Sequence, residues 1–167
     1  PVDDDCETVT PPALTLGQEE DSDVGILQAG VLSQADLHVQ LTTNAYGGAI
    51  VYLKNAADGC GGLLLVGGTG CYIQPAQDSD INPAADQARF GVKTSPATST
   101  PTRTATGVLQ PADGSYYGND VFALRFTAGE NPASGVTSAF GDPLVDTAGA
   151  PASNQNMRLT FGVTIAG

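Results

Sequence analysis

The sequence lacks most of the side chains that catalytic and metal sites use. Histidine occurs once, at His38, and tryptophan is absent from all 167 residues. A Ser/His/Asp arrangement has little support, because there is one imidazole and no recognisable nucleophile elbow. Zinc is disfavoured, since no CxxC pair is present. We expect His38 to be a surface or loop-packed residue, and we predict no catalytic residue, no metal site and no enzyme activity.

Basic side chains are also scarce. The chain has 6 Lys plus Arg against 18 Asp plus Glu, which gives a formal net charge of −12. Such a chain repels phosphate backbones and anionic lipids, so nucleic acid is not an expected partner. The acids form two runs, at 3–7 and 19–23. A solvated surface segment is one interpretation of these runs, and a cation site is the other.

No hydrophobic run approaches the roughly 18 apolar residues that a membrane-spanning helix needs. The chain opens on Pro1 without a basic or apolar leader. We therefore expect no membrane span, and if the protein is exported, we expect its signal peptide to have been removed already.

Glycine and proline are abundant where helix-forming patterns are missing. With 21 Gly, 11 Pro and 14% charged residues, the composition favours short strands and many turns in one all-β domain. The predicted strands are 8–16, 24–28, 35–43, 48–54, 63–66, 71–74, 88–94, 107–110, 120–127 and 157–165. Repeated short strands separated by turns predict a single antiparallel β-sandwich, Ig-like or jelly-roll-like.

Alternating residues support two of these strands most clearly. In 120–127, Phe122, Leu124 and Phe126 should share one face, and in 157–165 the odd-numbered residues from Met157 to Ile165 should do so. We expect such strands to bury one face only, as antiparallel sheets do. Residues 37–56, "LHVQLTTNAYGGAIVYLKNA", predict a β-hairpin that serves as scaffold.

Two long irregular stretches separate the later strands. Residues 94–107 are rich in Thr, Ser and Pro and predict an exposed loop, a candidate acceptor of O-linked sugar. Residues 129–156 are longer, and a loop of that length needs anchors in a compact domain. The anchors that we predict are Val136, Phe140, Leu144 and Val145.

Two of the three cysteines are well placed for a disulfide. Cys60 and Cys71 bracket "CGGLLLVGGTGC", a tight excursion whose ends can lie within disulfide distance. We predict a Cys60–Cys71 disulfide, with two free buried thiols as the alternative. Cys6 then remains for an interchain bridge or a different pairing within the chain.

Ligand-binding signals are weak. "DSDIN" (78–82) resembles the start of a calcium loop, but Pro83 and Arg89 occupy positions that need Gly and Glu. That motif fails, and only a weak calcium site that uses some of these acids remains as a hypothesis. Paired carboxylates for sugar hydrolysis are a further alternative. Tyr116 and Tyr117 could form a stacking platform for sugar or a turn lid.

Four fragments share a pattern of strands and glycine turns. They are "TPPALTLG" (10–17), residues 24–56, "ARFGVKT" (88–94) and "LTFGVTIAG" (159–167). This pattern resembles that of secreted bacterial β-sandwich surface proteins, and it is similar to that of camelysin-type biofilm fibre subunits and of spore-coat U or archaic-pilus subunits. The resemblance covers somewhat under half of the chain, and its motifs are structural.

The resemblance implies an incomplete sheet. In that group a further strand follows the "FGV" strand, whereas the present sequence ends at Gly167, and where the native chain ends stays open. The edge left open would be lined by Leu159, Phe161, Val163 and Ile165. Proteins cover such edges or pair them with another chain.

We expect two parts in the chain, an N-terminal extension, 1–16, and a β-sandwich domain, 17–167. The extension is the expected donor strand, and the side chains that it would insert are Val9, Ala13, Leu14 and Leu16. In the alternative, residues 8–16 form the first strand of their own sandwich. When one copy donates its strand to the next, the donor and acceptor surfaces differ, so the contact repeats from copy to copy and generates a homopolymer.

The functional hypothesis is an extracellular, cell-surface structural subunit of a pilus-like or biofilm filament, assembled by donor-strand complementation. The alternative is a monomeric adhesion or carbohydrate-binding module that contacts a host surface or a glycan. No cofactor is predicted apart from the weak calcium site.

Overall fold

A computed structural model describes residues 14–20, 22–54, 62–63, 72–76, 81–82, 87–97, 104–118, 120–124 and 141–167. Within these ranges all regular secondary structure is β-strand and no helix occurs. The all-β prediction is therefore confirmed. No helix in this part of the chain is long and apolar enough to cross a membrane.

Nine strands follow one another along the described chain. They are β1 (Gln18–Glu20), β2 (Ser22–Ile26), β3 (Ser33–Thr43), β4 (Ile50–Leu53), β5 (Gln74–Pro75), β6 (Arg89–Pro96), β7 (Gln110–Pro111), β8 (Asp142–Asp146) and β9 (Ala152–Thr164). Strands 35–43, 48–54 and 88–94 are confirmed within two residues as β3, β4 and β6. Predicted strand 157–165 is the second half of β9, which begins five residues earlier.

The strands form a four-stranded sheet, a three-stranded sheet and a separate two-stranded ladder. Their orders are β3-β9-β6-β5, β4-β8-β7 and β1-β2. Pairing is antiparallel except between β5 and β6. The prediction of antiparallel sheets is thus confirmed in this coarse form.

The hairpin predicted for 37–56 is wrong. β3 pairs with β9 and β4 pairs with β8, so the connection 44–49 passes from one sheet to the other. Thr147, just after β8, holds the chain there: the Ala49 N–H donates to Thr147 Oγ1 at 2.9 Å and the Thr147 N–H to Ala49 O at 3.1 Å. Gly48, with φ +74°, allows the close approach to Thr147, because a Cβ would collide with that hydroxyl.

One hydrophobic cluster, the main cluster, draws residues from both larger sheets. Its fully covered members are Val92, Tyr117, Ala123, Leu124, Leu144, Val145, Met157 and Leu159. Leu144 and Val145 are buried as predicted, but in a strand rather than a loop. The register of β8 against β4 shifts there, consistent with a bulge that lets both consecutive residues face inward.

β9 is buried on both faces, contrary to the one-face prediction. Met157, Leu159 and Val163 are buried on one face, and Thr160, Gly162 and Thr164 on the other. Phe122 covers the second face, where a Cβ on Gly162 would lie 2.6 Å from its ring. Phe122 belongs to a second cluster with Ala76 and Ile81, so the prediction that it shares a face with Leu124 is wrong. Phe126, the third residue of that prediction, lies outside the described residues.

Candidate functional site: the β3/β4 side of the core

One lateral side of the main cluster is closed by short strands and irregular chain. β5 pairs with the start of β6, and Val92 and Ala123 exchange backbone hydrogen bonds of 2.8 and 3.1 Å. Further along, the Thr94 N–H donates to Tyr117 O at 2.9 Å. Tyr117 and Leu124, which seal this side, are both 0% exposed.

A buried polar pair fixes the same side. The Tyr117 hydroxyl donates to Asp142 Oδ2, which joins the 112–118 turn to β8. Tyr116 packs edge-on against Tyr117, with ring centroids 4.8 Å apart. Because Tyr117 is fully buried, the two rings form a lid over the turn and not an exposed platform for sugar.

At the other end of each larger sheet lie β3 and β4. Each is the terminal strand of its sheet among the described residues. Their inward residues Leu37, Val39, Val51 and Leu53 pack on the main cluster and are only half-buried. The residues that pair with Leu37, Val39 and Val51 on the neighbouring strands are more deeply buried. These residues are Leu159, Met157 and Val145, which are 3%, 1% and 0% exposed. Burial therefore falls from each of these inner residues to its partner on β3 or β4. Four residues elsewhere on the main cluster are half-buried too: Phe90, Leu109, Tyr116 and Phe161. We call Leu37, Val39, Val51 and Leu53 the β3/β4 strip.

The sequence of β3 does little to discourage another strand. Edge strands are commonly protected by Lys, Pro or short length. β3 has 11 residues and neither of those residue types, and Asp36 is its one acidic residue. Its apolar row continues with Leu41, which is also half-buried. A strand added beside β3 would thus meet an extended edge with apolar side chains on its core face.

The acceptor edge predicted from the sequence is in the wrong place. Leu159, Phe161 and Val163 lie in β9, which is paired with β3 on one side and β6 on the other. Ile165 follows β9 and bridges Ala29, whose neighbour Gly30 donates to Ile165 O at 3.4 Å. Because β9 is a central strand, its ladder has no room for a donor. The sequence could not reveal this, since alternation marks a buried face but not a neighbour.

The predicted donor residues are described in part. Val9 and Ala13 lie outside the described residues, whereas Leu14 and Leu16 are half-buried and Thr15 between them is exposed. In an extended segment, residues two apart share a face. In one regular strand, the alternation of the sequence would place Leu14 and Leu16 on one face and Val9 and Ala13 on the other.

The chain next to these leucines is used within its own molecule. β1 and β2 form an antiparallel ladder, and Leu16 O lies so near Gly25 that a Cβ there would collide with it. Within the described residues this ladder pairs with neither larger sheet. A two-stranded ladder is marginally stable alone, which leaves the N-terminal segment suited to either of the two uses expected for it.

Several other predicted sites lie outside the described residues. These are Cys6, Cys60 and Cys71 and, of the calcium-like sequence, residues 78–80. Within the described residues, no cluster of three or more His, Cys, Asp or Glu side chains could hold a metal ion. His38 is half-buried in β3, opposite Arg158.

A charged row crosses the second face of the four-stranded sheet. Thr160 Oγ1 donates a hydrogen bond to Asp36 Oδ1 at 2.6 Å. The Arg158 guanidinium lies 3.8 Å from the same carboxylate, and Arg158 Nε donates a hydrogen bond to Ser95 Oγ. On β6, Lys93 Nζ donates to Asp120 Oδ1 at 2.8 Å. This hydrogen bond and the charge of Lys93 hold the pKa of the Asp120 carboxyl below its ordinary value of 3.8.

Comparison with protein-family models, with curated proteins and with solved structures found no match to this chain.

Sequence reasoning missed the half-burial of Leu37, Val39, Val51 and Leu53 at the ends of their sheets. Their alternation was visible, but it indicated only a strand with one covered face. The incomplete covering comes from sheet order, which depends on pairings between residues more than 90 positions apart, such as Val51 with Val145.

Proposed function

We propose that the protein is an extracellular structural subunit that assembles into a pilus-like or biofilm filament by β-strand addition. The observation that carries this proposal is the burial gradient toward the β3/β4 strip. A neighbouring copy would place an extended segment beside β3, extend its ladder and cover the half-buried apolar residues of both sheets.

The proposal includes a two-layer β-sandwich in which the β3-β9-β6-β5 and β4-β8-β7 sheets face each other. Residues from both sheets belong to the main cluster, which supports this arrangement. In such a sandwich β3 and β4, joined by 44–49, border the same lateral opening. One inserted strand could therefore contact Leu37 and Val39 on one layer and Val51 and Leu53 on the other.

The donor in this proposal is the N-terminal segment of another copy, with Leu14 and Leu16 as the inserted pair. Their shared face and the exposure of Thr15 support this choice over a set that mixes both faces. Donor and acceptor are different patches of the chain, so each copy can accept one neighbour and donate to the next. The Cys60–Cys71 disulfide and an interchain bridge through Cys6 remain predictions that belong to the same extracellular setting.

Negative-stain electron microscopy of the purified protein tests the proposal. We expect fibres for the wild type and dispersed, folded particles after Leu16→Asp, because a carboxylate cannot enter an apolar strip without a large desolvation cost. Thr15→Asp is the matched control, because it adds the same charge one residue away on the exposed face.

Deletion of residues 1–16 separates the two uses of the segment. A folded monomer that no longer polymerises supports donation, whereas outright unfolding supports a strand that completes its own sandwich. A wild type that stays monomeric at all concentrations and binds glycans on an array would contradict the filament proposal and support the binding-module alternative.

A further inference from the structure

Among the described residues of this acidic protein, the basic side chains are concentrated on one sheet face. The structure describes four of them, and three of these, Arg89, Lys93 and Arg158, lie on the second face of the four-stranded sheet. The register places Arg158 opposite Ser95 and Lys93 opposite Thr160. Alternation along β6 gives Arg89 the same face as Lys93. In the part of the chain that the structure describes, this face thus carries three cations and two carboxylates, Asp36 and Asp120, whereas the net charge of the whole chain is −12.

Two of these cations, Lys93 and Arg158, are partly exposed. The side chains of Lys93 and Arg158 are 23% and 32% exposed, and Arg158 lies 3.8 Å from Asp36. Asp120, the partner of Lys93, is 89% exposed. Exposed ion pairs contribute little to stability, so an incoming carboxylate could share or replace these partners at low cost.

The backbone of Asp120 also indicates a specific placement of its carboxylate. Its φ is +65°, in the left-handed region that non-glycine residues seldom occupy. Lys93 Nζ also lies over the ring of Phe122, 4.9 Å from its centroid. The ammonium thus contacts an aromatic face as well as the Asp120 carboxylate.

We propose that this face, through Lys93 and Arg158, docks the acidic run 3–7 of a second copy of the chain. The inference rests on the proposed strand addition and adds an electrostatic contact to it. The run carries Asp3, Asp4, Asp5 and Glu7, the complementary charge. The acidic run ends at Glu7, seven residues before Leu14, and seven residues of extended chain reach about 23 Å. The outer side of β3 lies only about two strand spacings, roughly 10 Å, from the β9 strand that carries Arg158.

The contact would guide assembly more than strengthen it. Charge complementarity raises encounter rates and fixes orientation, and salt screens it. The acidic run, which keeps a donor segment soluble, would then also select the face beside the β3 edge and disfavour the rest of the acidic surface.

The test is a titration of the full-length protein, at concentrations where light scattering shows a monomer, with a fluorescent peptide of residues 1–17 carrying Ser in place of Cys6. We expect Lys93→Gln and Arg158→Gln each to weaken binding by about fivefold. Asp120→Asn should tighten it, because it frees Lys93, and Asn tolerates the left-handed backbone. Lys54→Gln is the control, since it removes one exposed positive charge from β4's end and should leave binding unchanged.

A second peptide with Asn and Gln in place of Asp3, Asp4, Asp5 and Glu7 separates this inference from the proposed function. Weaker binding of the neutral peptide, with loss of the salt dependence, supports the docking of the acidic run. Equal binding of both peptides, or an equal effect of Lys54→Gln and Lys93→Gln, overturns the inference and leaves strand addition intact. Absence of binding by both peptides, together with absence of fibres, overturns both.

Discussion

The two lateral sides of the core are finished in different ways. On the β6/β7 side, Tyr117 and Leu124 are fully buried and the backbone of 117 and 123 is hydrogen bonded to β6. On the β3/β4 side, residues of the same apolar kind pack on the same cluster and remain half-buried. The difference lies in the pairing. Among the described residues, irregular chain is hydrogen bonded to β6 on one side, whereas on the other side β3 pairs with no strand but β9 and β4 with none but β8. Half-burial alone does not separate the two sides, because Leu109 and Tyr116 near β7 are half-buried too.

The largest difference between the two sides should appear when matched leucines are truncated. Leu144→Ala removes a side chain that is 1% exposed, and we expect it to lower the free energy of unfolding by about 2–5 kcal/mol. Leu37→Ala, at the half-buried strip, should cost the monomer about half as much. Urea denaturation of the monomers checks both values. Equal losses would contradict the contrast between the sides.

The closed side also depends on a polar contact that the strip lacks. Tyr117→Phe removes the hydroxyl that donates to buried Asp142 and should cost about 1–3 kcal/mol in the free energy of unfolding. Tyr46→Phe, at a tyrosine that is 96% exposed, is the control and should be neutral. Thermal unfolding of the two variants gives the comparison, and a neutral Tyr117→Phe would show that the hydroxyl contact does not stabilise this side.

The covered second face of β9 predicts a steric effect at a glycine. Gly162→Ala would place a Cβ 2.6 Å from the Phe122 ring and should destabilise the fold by about 1–3 kcal/mol. A Cβ at Gly114 meets nothing within 4 Å, so Gly114→Ala should be neutral or slightly stabilising. If chemical denaturation gives both variants the same stability, Phe122 does not cover β9 in solution.

The smallest effect concerns the Lys93–Asp120 pair. Because the folded-state pKa of Asp120 is lowered, its ionised form adds stability above the unfolded-state pKa and loses it as the pH falls through the folded-state value. Asp120→Asn should therefore unfold slightly more easily than the wild type at pH 7, and the two should converge at acidic pH below 3.8. A difference that grows on acidification would contradict the direction of this pKa shift.

The sequence predicted individual strands better than their neighbours. Alternation identified β3, β6 and the second half of β9, and the apolar pair Leu144 and Val145 was correctly expected to be buried. The same alternation favoured a hairpin at 37–56, because it carries no information about which strand lies beside which. The connection between β3 and β4 is held by a hydrogen bond from Ala49 to Thr147, which lies 98 residues further along the chain.

For the candidate site, too, the sequence indicated the strands but not their neighbours. An incomplete edge could be hypothesised from the sequence, but it was placed on β9, which the structure shows to be central. The alternation of Leu37 and Val39 was visible, whereas their half-burial depends on what other elements leave uncovered. The position of Phe122 over Gly162 and Lys93 is likewise a long-range contact with no local signal.

Intermolecular disulfide trapping tests the central claim most directly. One full-length variant carries Leu14→Cys and another Val39→Cys, both with Cys6→Ser, and they are mixed and oxidised before a non-reducing gel. The account predicts a crosslinked dimer that contains one copy of each variant and is much weaker with Thr15→Cys in place of Leu14→Cys. Equal crosslinking by Thr15→Cys, or no mixed dimer under conditions where fibres form, would contradict insertion of the N-terminal segment beside β3.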